Sequence, residues 1–339
     1  MSNTETDPAE SACPAVALDD LPEPVTLAPR EVPLGGPRAI VVRRTLPHRD
    51  LRTIGAWCFV DDYGPNDPVA LPMAVPPHPH MGLQTVTWLL SGVVEHRDSS
   101  GGHAMVQPGD LSLMTAGDGI AHSEYNRGED LVRGVQTWVA LPSAHRGTTP
   151  TYAHHTDLPV VALGDDADAT VILGEFAGAT SPATTFSPIV GAEVRLLRAG
   201  EVRLPLRPEF EYGVLALDEP LVIDGGEVAP GDLHYLGAQR DHLLLSAEVG
   251  PCHVLLLGGE PLAESLLMWW NFVGRSHDEI AAARADWQDG SDRFGQVVGD
   301  PAAPLPAPAL PNATLRARPG RSGRLPVGDG RSDSAESGA

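Results

Sequence analysis

Residues 76–92 read PPHPHMGLQTVTWLLSG, and residues 108–126 read PGDLSLMTAGDGIAHSEYN. His78 and His80 stand two apart at the entry to a strand-like run, and His122 and Glu124 stand two apart at the far end of the same unit. Side chains two apart on an extended strand share one face. Two such strands laid side by side deliver three imidazoles and one carboxylate to a single point. That donor set suits a divalent transition metal, and a thiolate site is excluded because no cysteine lies among these residues. An octahedral ion held this way keeps about two positions open for water, dioxygen or substrate.

Around these stretches, β-type runs recur between turn residues, among them AIVVRRTL, VQTWVAL, ATVILGEF, EVRLLRA, YGVLALD and CHVLLLGG. With 36 Gly and 33 Pro in 339 residues, the chain favours tight turns over long helices and points to sandwiches or barrels. Gly101-Gly102 with Pro108-Gly109-Asp110-Leu111 is echoed by Gly225-Gly226 with Pro230-Gly231-Asp232-Leu233, which predicts two related β units in tandem. A chance recurrence of a common turn tetrapeptide is the competing account. Counted from the repeated PGDL, His122 corresponds to Leu244 and Glu124 to Ser246, so the second unit is expected to hold no metal. Ser276 and Glu279 have capping-box spacing ahead of a helical run, Ile280 to Trp287, which Gly290 can terminate. Just before it, Trp269, Trp270 and Phe272 serve either as inter-domain packing or as a stacking platform for a ligand.

The formal net charge of −22 opposes direct docking on nucleic acid or an anionic membrane surface, while permitting a basic protein partner. Three widely spaced cysteines, Cys13, Cys58 and Cys252, form neither a disulfide framework nor a CxxC zinc site. No basic, apolar leader opens the chain and no apolar run approaches ~20 residues, so a cytoplasmic protein is expected. Residues 1–26 are acidic, Pro- and Ala-rich and aperiodic, and are expected to form a disordered arm. Residues 301–339 read as a disordered Pro/Arg/Ser tail, whose Arg316, Arg318, Arg321 and Arg324 form a solvated charge cluster.

The order HxH, Gly, PGD, then His122 followed four positions on by Asn126, resembles the paired motifs of cupins. HPHMGLQTVTWLLSG, MTAGDGIAHSEYN and WWNFVGRSHDEIAAARADW resemble the pirin family in particular, over about Leu34 to Asp289 and including TIGAWCFVDDYGP upstream. The resemblance implies an all-β fold of two tandem jelly-roll barrels. We divide them as a metal-binding barrel over residues 27–158 and a metal-free barrel with the helix over 159–300. It implies one metal per chain, usually iron and hence Fe(II), held by His78, His80, His122 and Glu124, in a protein that is often monomeric. Two activities follow from it. One is a quercetin 2,3-dioxygenase-type reaction on a small aromatic or enol substrate, with Glu124 as candidate base. The other is an iron-dependent redox sensor acting through contacts with a transcription factor or metabolic enzyme.

Where many pirins carry glutamate, this chain has Gln84. On an unbroken strand Gln84 keeps the parity of His78 and His80, but a neutral amide is a poor metal ligand, so Gln84 is expected to hydrogen-bond a bound water or substrate. Val86 and Trp88 share that parity and are expected to line the pocket. His96 and His103 lie between the paired motifs, where each either lines the pocket or sits on a hairpin surface. His154, His155, His234, His242 and His253 are read as structural or surface residues.

Overall fold

The strand Leu83–Ser91 lies between Leu111–Thr115 and Val132–Ala140, and residues directly opposite one another in such antiparallel pairs share a face. Val86 is opposite Leu113 and Thr137, and Trp88 opposite Leu111 and Val135. Thr85 is opposite Met114 and Trp138, and Thr87 opposite Ser112 and Gln136. One side of this sheet is therefore hydrocarbon and the other mixed, as a sheet between two different neighbours requires. The structure is a computed structural model that describes residues 11–15, 21–34, 40–67 and 72–311, with Asn3, Glu5 and Pro8.

Seven strands form this first large sheet, in the order Thr151–His155, Leu111–Thr115, Leu83–Ser91, Val132–Ala140, Trp57–Asn66, Ile40–Leu46 and Arg30–Leu34. A four-stranded sheet, Ala74–His80, Ile120–Arg127, Val93–Asp98 and His103–Val106, closes over its mixed face. Val42, Tyr63 and Leu89 from the large sheet pack there against Val75, Val94 and Val106 from the small one. The architecture then repeats. A second large sheet runs through Ala167–Phe176, Ile189–Leu196, Cys252–Gly259, Glu211–Ala216 and Leu233–Gly237, and its partner holds Gly200–Pro205, His242–Ala247, Leu221–Ile223 and Gly226–Val228. The chain is thus two tandem cupin-type barrels with one α-helix among the described residues. The passage between large sheets falls between Thr151–His155 and Val160–Ala162.

The barrels meet through hydrocarbon. Val86, Trp88, Leu111, Leu113 and Val135 of the first share a buried cluster with Ile172, Leu173, Leu215 and Leu257 of the second. Each buried side chain of this size contributes roughly 1.5–3 kcal/mol. Polar pins cross the same boundary: Trp57 Nε1 donates to the Gly258 carbonyl at 3.1 Å, and Gly55 N donates to Glu211 Oε1 at 2.6 Å.

Among the described residues, no cluster of metal-ligating side chains falls in the second barrel. Its strands Gly200–Pro205, His242–Ala247 and Leu221–Ile223 pair in the same order as the strands bearing the histidines of the first. Val202, Leu204, Leu221, Ile223, Leu243 and Leu245 all point into its core. Leu244 and Ser246, matched to His122 and Glu124 by counting, lie half-exposed on the alternate face, because the count is one residue out of step with the pleat.

Both terminal stretches contribute structure. Within the arm expected to be loose, Ser11–Cys13 pairs with Leu266–Trp269, and Val25–Leu27 adds to the second barrel at Leu233–Gly237. Of the tail expected to be disordered, residues 301–311 dock: Leu305 N donates to Pro77 O at 2.8 Å, and Trp287 Nε1 donates to Leu305 O at 2.8 Å. A Pro-rich segment lacks internal hydrogen bonds, so here its backbone polar groups are paired from outside. The tail's four arginines lie outside the described residues. The helix runs His277–Gln288 as its capping spacing predicts, with Ser276 accepting from Glu279 N, while Glu279 Oε2 accepts from Arg275 N one residue earlier than a standard box.

Burial pushes the Glu211 carboxyl up to about 6 from 4.5, against the Tyr235 hydroxyl and Gly55 N–H that it accepts from. Between those values the folded protein keeps a proton that the unfolded chain releases, so stability falls as pH rises through the window. Relative to Glu211→Gln, the wild type is expected to lose about 2 kcal/mol from pH 4.5 to 6 and no more above it. Urea melts of both proteins across that range check this; parallel pH profiles would refute it.

Candidate metal centre

The site begins with a register. His122 lies directly opposite His78, and Ile120 opposite His80, across the pair Ile120–Arg127 and Ala74–His80. A β-bulge follows between His122 and Glu124, which re-aims the carboxylate relative to a regular strand. On the other side of the same strand, Glu124 lies opposite His96 and His122 opposite Asp98. Six ligand-type or supporting side chains thus share one inner face.

Ring centroids of His78, His80 and His122 lie 4.3–5.2 Å from one another. One nitrogen from each falls within 4.8 Å of the others, and His96, His122 and Glu124 form a second such triple. All five are at most 2% exposed. Burial holds His78 down to about 4 and puts His80 and His122 well below the usual imidazole range, so these rings are neutral at pH 7 and present lone pairs. His78 Nδ1 donates to the Pro76 carbonyl at 2.8 Å, which leaves Nε2 unprotonated. The Asn271 backbone hydrogen-bonds His80. His122 Nδ1 lies 3.4 Å from His96 Nδ1. Such outer contacts fix ring orientation in metal sites.

One observation tests the fit of a cation directly: His122 Nε2 is buried and has no hydrogen-bond partner among the described residues. Leaving such an acceptor dry costs about 1–3 kcal/mol, and a metal ion is the partner that an N₃O donor set provides for. The triples His78–His80–His122 and His96–His122–Glu124, which share His122, offer donors that fit a divalent transition metal.

Other expectations fare differently. Gln84, Val86 and Trp88 do not face the cluster. Gly82, at φ +73°, breaks the chain between Ala74–His80 and Leu83–Ser91, which belong to different sheets, so parity is not carried across. A Cβ at Gly82 would stand 2.0 Å from the Val273 carbonyl, so the break is built around glycine. Gln84 Nε2 instead donates to Thr115 Oγ1 at 2.9 Å and to the Thr184 carbonyl at 3.1 Å, a tie to the second barrel. His96 does belong to the site, whereas His103, half-exposed, pairs with Glu95 at the hairpin surface.

The sequence reading passed over four neighbours. Trp138 stands edge-on to His80 at 5.2 Å and stacks on Phe59 at 3.9 Å. Tyr152 stacks on His96 at 4.1 Å. Asp98 Oδ2 accepts from His96 Nε2 at 2.9 Å. Asn271 Oδ1 accepts from Asn3 N at 2.9 Å, while its backbone holds His80. Only Asp98 had a local signal, since it sits two residues from His96 just as His80 does from His78. Trp269, Trp270 and Phe272 prove to be a buried packing cluster with Ile280 and Phe294.

Comparison with known proteins follows the geometry. Residues 39–139 match the Pirin family and residues 191–295 the Pirin C-terminal cupin domain. A Pseudomonas aeruginosa protein provisionally named quercetin 2,3-dioxygenase is 40% identical over 318 residues, covering 92% of this chain and 98% of that one. A Caulobacter vibrioides pirin-like protein is 33% identical over 278 residues, covering 78% and 94%. The crystal structure of a quercetin 2,3-dioxygenase from Acinetobacter baumannii superposes with TM-score 0.83 at 37% identity, covering 87% of this chain and 98% of that one. A bacterial pirin from Escherichia coli, solved with nickel(II), shares the fold at TM-score 0.56 and 18% identity, covering 70% and 100%.

Gln84→Ala is expected to keep the full metal stoichiometry of the wild type while lowering stability by about 1–3 kcal/mol, through the lost side-chain volume and the two lost hydrogen bonds. Metal analysis and denaturant melts on the same sample check it. Loss of metal would return Gln84 to the site.

Proposed function

The chain belongs to the pirin family, and on that premise we propose that it is an Fe(II)-dependent dioxygenase of the quercetin 2,3-dioxygenase type, acting on a small aromatic or enol substrate. The observation that carries this reading is the buried triple His78, His80 and His122, joined through His122 to a second triple with His96 and Glu124, while no such cluster falls among the described residues of the other barrel. We assign residues 27–158 to the metal-binding barrel and 159–300 to its scaffold, with one ion per chain on His78, His80, His122 and Glu124. When bound, a ferrous ion supplies Lewis acidity and access to one-electron chemistry with dioxygen. A cytoplasmic monomer fits the reading; among the described residues, no helix is long and apolar enough to cross a membrane.

The protein's own groups do the rest. Glu124 is the acid–base candidate, since it is the carboxylate of the second triple and the bulge before it loosens its tie to strand geometry. It takes the proton of a substrate hydroxyl, and the neutral imidazoles beside it add no competing positive charge. Trp138, edge-on to His80 and stacked on Phe59, helps keep bulk water away. A crevice of only about 20 Å³, lined by Arg44, Phe59, Trp138, Trp269 and Trp270, lies beside these rings.

The test is oxygen consumption by the Fe(II)-reconstituted protein with and without quercetin, with His80→Ala as control. Flavonol-dependent uptake that falls at least 100-fold in the variant is expected. No uptake with quercetin, from a protein holding one iron per chain, would overturn the quercetinase assignment and favour the iron-dependent regulator.

A further inference from the structure

We infer that Asp98 and His96 form a positioning pair that sets the tautomer of His122, and so decides which of its nitrogens is offered to a metal. The inference rests on the metal-centre reading above and adds two residues to it.

The argument is one of donors and acceptors. Asp98 Oδ1 accepts three hydrogen bonds, from Ser100 N at 2.8 Å, Ser100 Oγ at 2.7 Å and Gly102 N at 3.0 Å. Its other oxygen, Oδ2, faces His96 Nε2 at 2.9 Å. A carboxylate only accepts, so His96 Nε2 carries the hydrogen. With His96 neutral, its Nδ1 is bare and accepts. The group facing it at 3.4 Å is His122 Nδ1, which must therefore donate. His122 Nε2 is then the bare nitrogen, and it is the buried atom left without a hydrogen-bond partner. Reversing any one link places a hydrogen on the nitrogen that a cation needs.

The pair is held rigidly. Tyr152 lies flat against His96, with 7° between ring planes, and its hydroxyl is fixed by Ser112 at 3.0 Å. A Cβ at Gly102 would come within 2.2 Å of Asp98 Oδ2 and 2.7 Å of the Tyr152 side chain, so the loop closes on the carboxylate with no slack. Asp98 and His96 touch neither substrate nor the reacting atoms; they act through His122.

Asp98→Asn is the discriminating variant. The three donors on Oδ1 hold the amide oxygen in place and turn its NH₂ toward His96, which then accepts at Nε2 and donates at Nδ1. His122 is forced to accept at Nδ1 and to carry its hydrogen at Nε2. Nitrogen-15 NMR of histidine-labelled, metal-free protein is expected to show His122 protonated at Nδ1 in the wild type and at Nε2 in Asp98→Asn. Co(II) affinity, by chelator competition, is expected to fall about 10–100-fold, with a changed ligand-field spectrum. His96→Gln offers the same acceptor and donor and is expected to keep Co(II) affinity within a few-fold, whereas His96→Leu is expected to lose it as Asp98→Asn does. If Asp98→Asn does not fold, the two His96 variants carry the test. Unchanged tautomer and affinity in Asp98→Asn, or equal affinities in His96→Gln and His96→Leu, would overturn the inference. A wild type that binds no Co(II) would instead overturn the metal-centre reading, while the tautomer measurement stands apart from it.

Discussion

The register that sets His78 against His122 is the constraint on which the first barrel depends. A slip of one residue in Ala74–His80 would send His78 and His80 to the outer face, away from His122 and Glu124. Holding them inside is costly, because three imidazoles and a carboxylate are taken from water into a space almost without exposure. The surrounding structure offsets that cost by pairing the rings from behind, through the Pro76 carbonyl, the Asn271 backbone and His96. His122 Nε2, buried and without a hydrogen-bond partner among the described residues, leaves the site's polarity organised around an occupant.

The second barrel repeats the strand order without that cost. Where the first has imidazoles and carboxylates on its small sheet, the second has valine, leucine and isoleucine, and they close its interior as ordinary core. Its large sheet buries Ile172, Leu173, Leu215 and Leu257 against the outer face of the first barrel's large sheet. The first barrel is thereby supported on the side away from its polar centre, a division of labour that a single barrel of this size would find hard to achieve.

Much of this was legible in the chain. The paired histidines announced their shared face because each pair lies within one strand, where a period of two is dependable. Two tandem β units followed from the turn residues and the repeated PGDL. The same logic failed where it crossed a break. Gln84, Val86 and Trp88 were placed by parity through Gly82, whose positive φ moves the chain from one sheet to another. Leu244 and Ser246 were placed by counting through a repeat whose pleat is offset by one. Asn271, Trp138 and Tyr152 join the site from 56 to 191 residues away by tertiary packing, which no local pattern records. The docked segment after residue 300 escaped notice because its composition reads as loop, while its order comes from partners such as Pro77 and Trp287.

Asn271 also sets an order of events. The strand bearing His78 and His80 leaves the ribosome well before the hairpin whose backbone holds His80, and at ordinary synthesis rates the gap is roughly 10–40 s. During that interval the amino-terminal strand Ser11–Cys13 has no Leu266–Trp269 to pair with, and Gly82 has no Val273 against it. The nascent first barrel is therefore an open vessel with its ligands already synthesised, and the late hairpin Leu266–Gly274 is what closes over it.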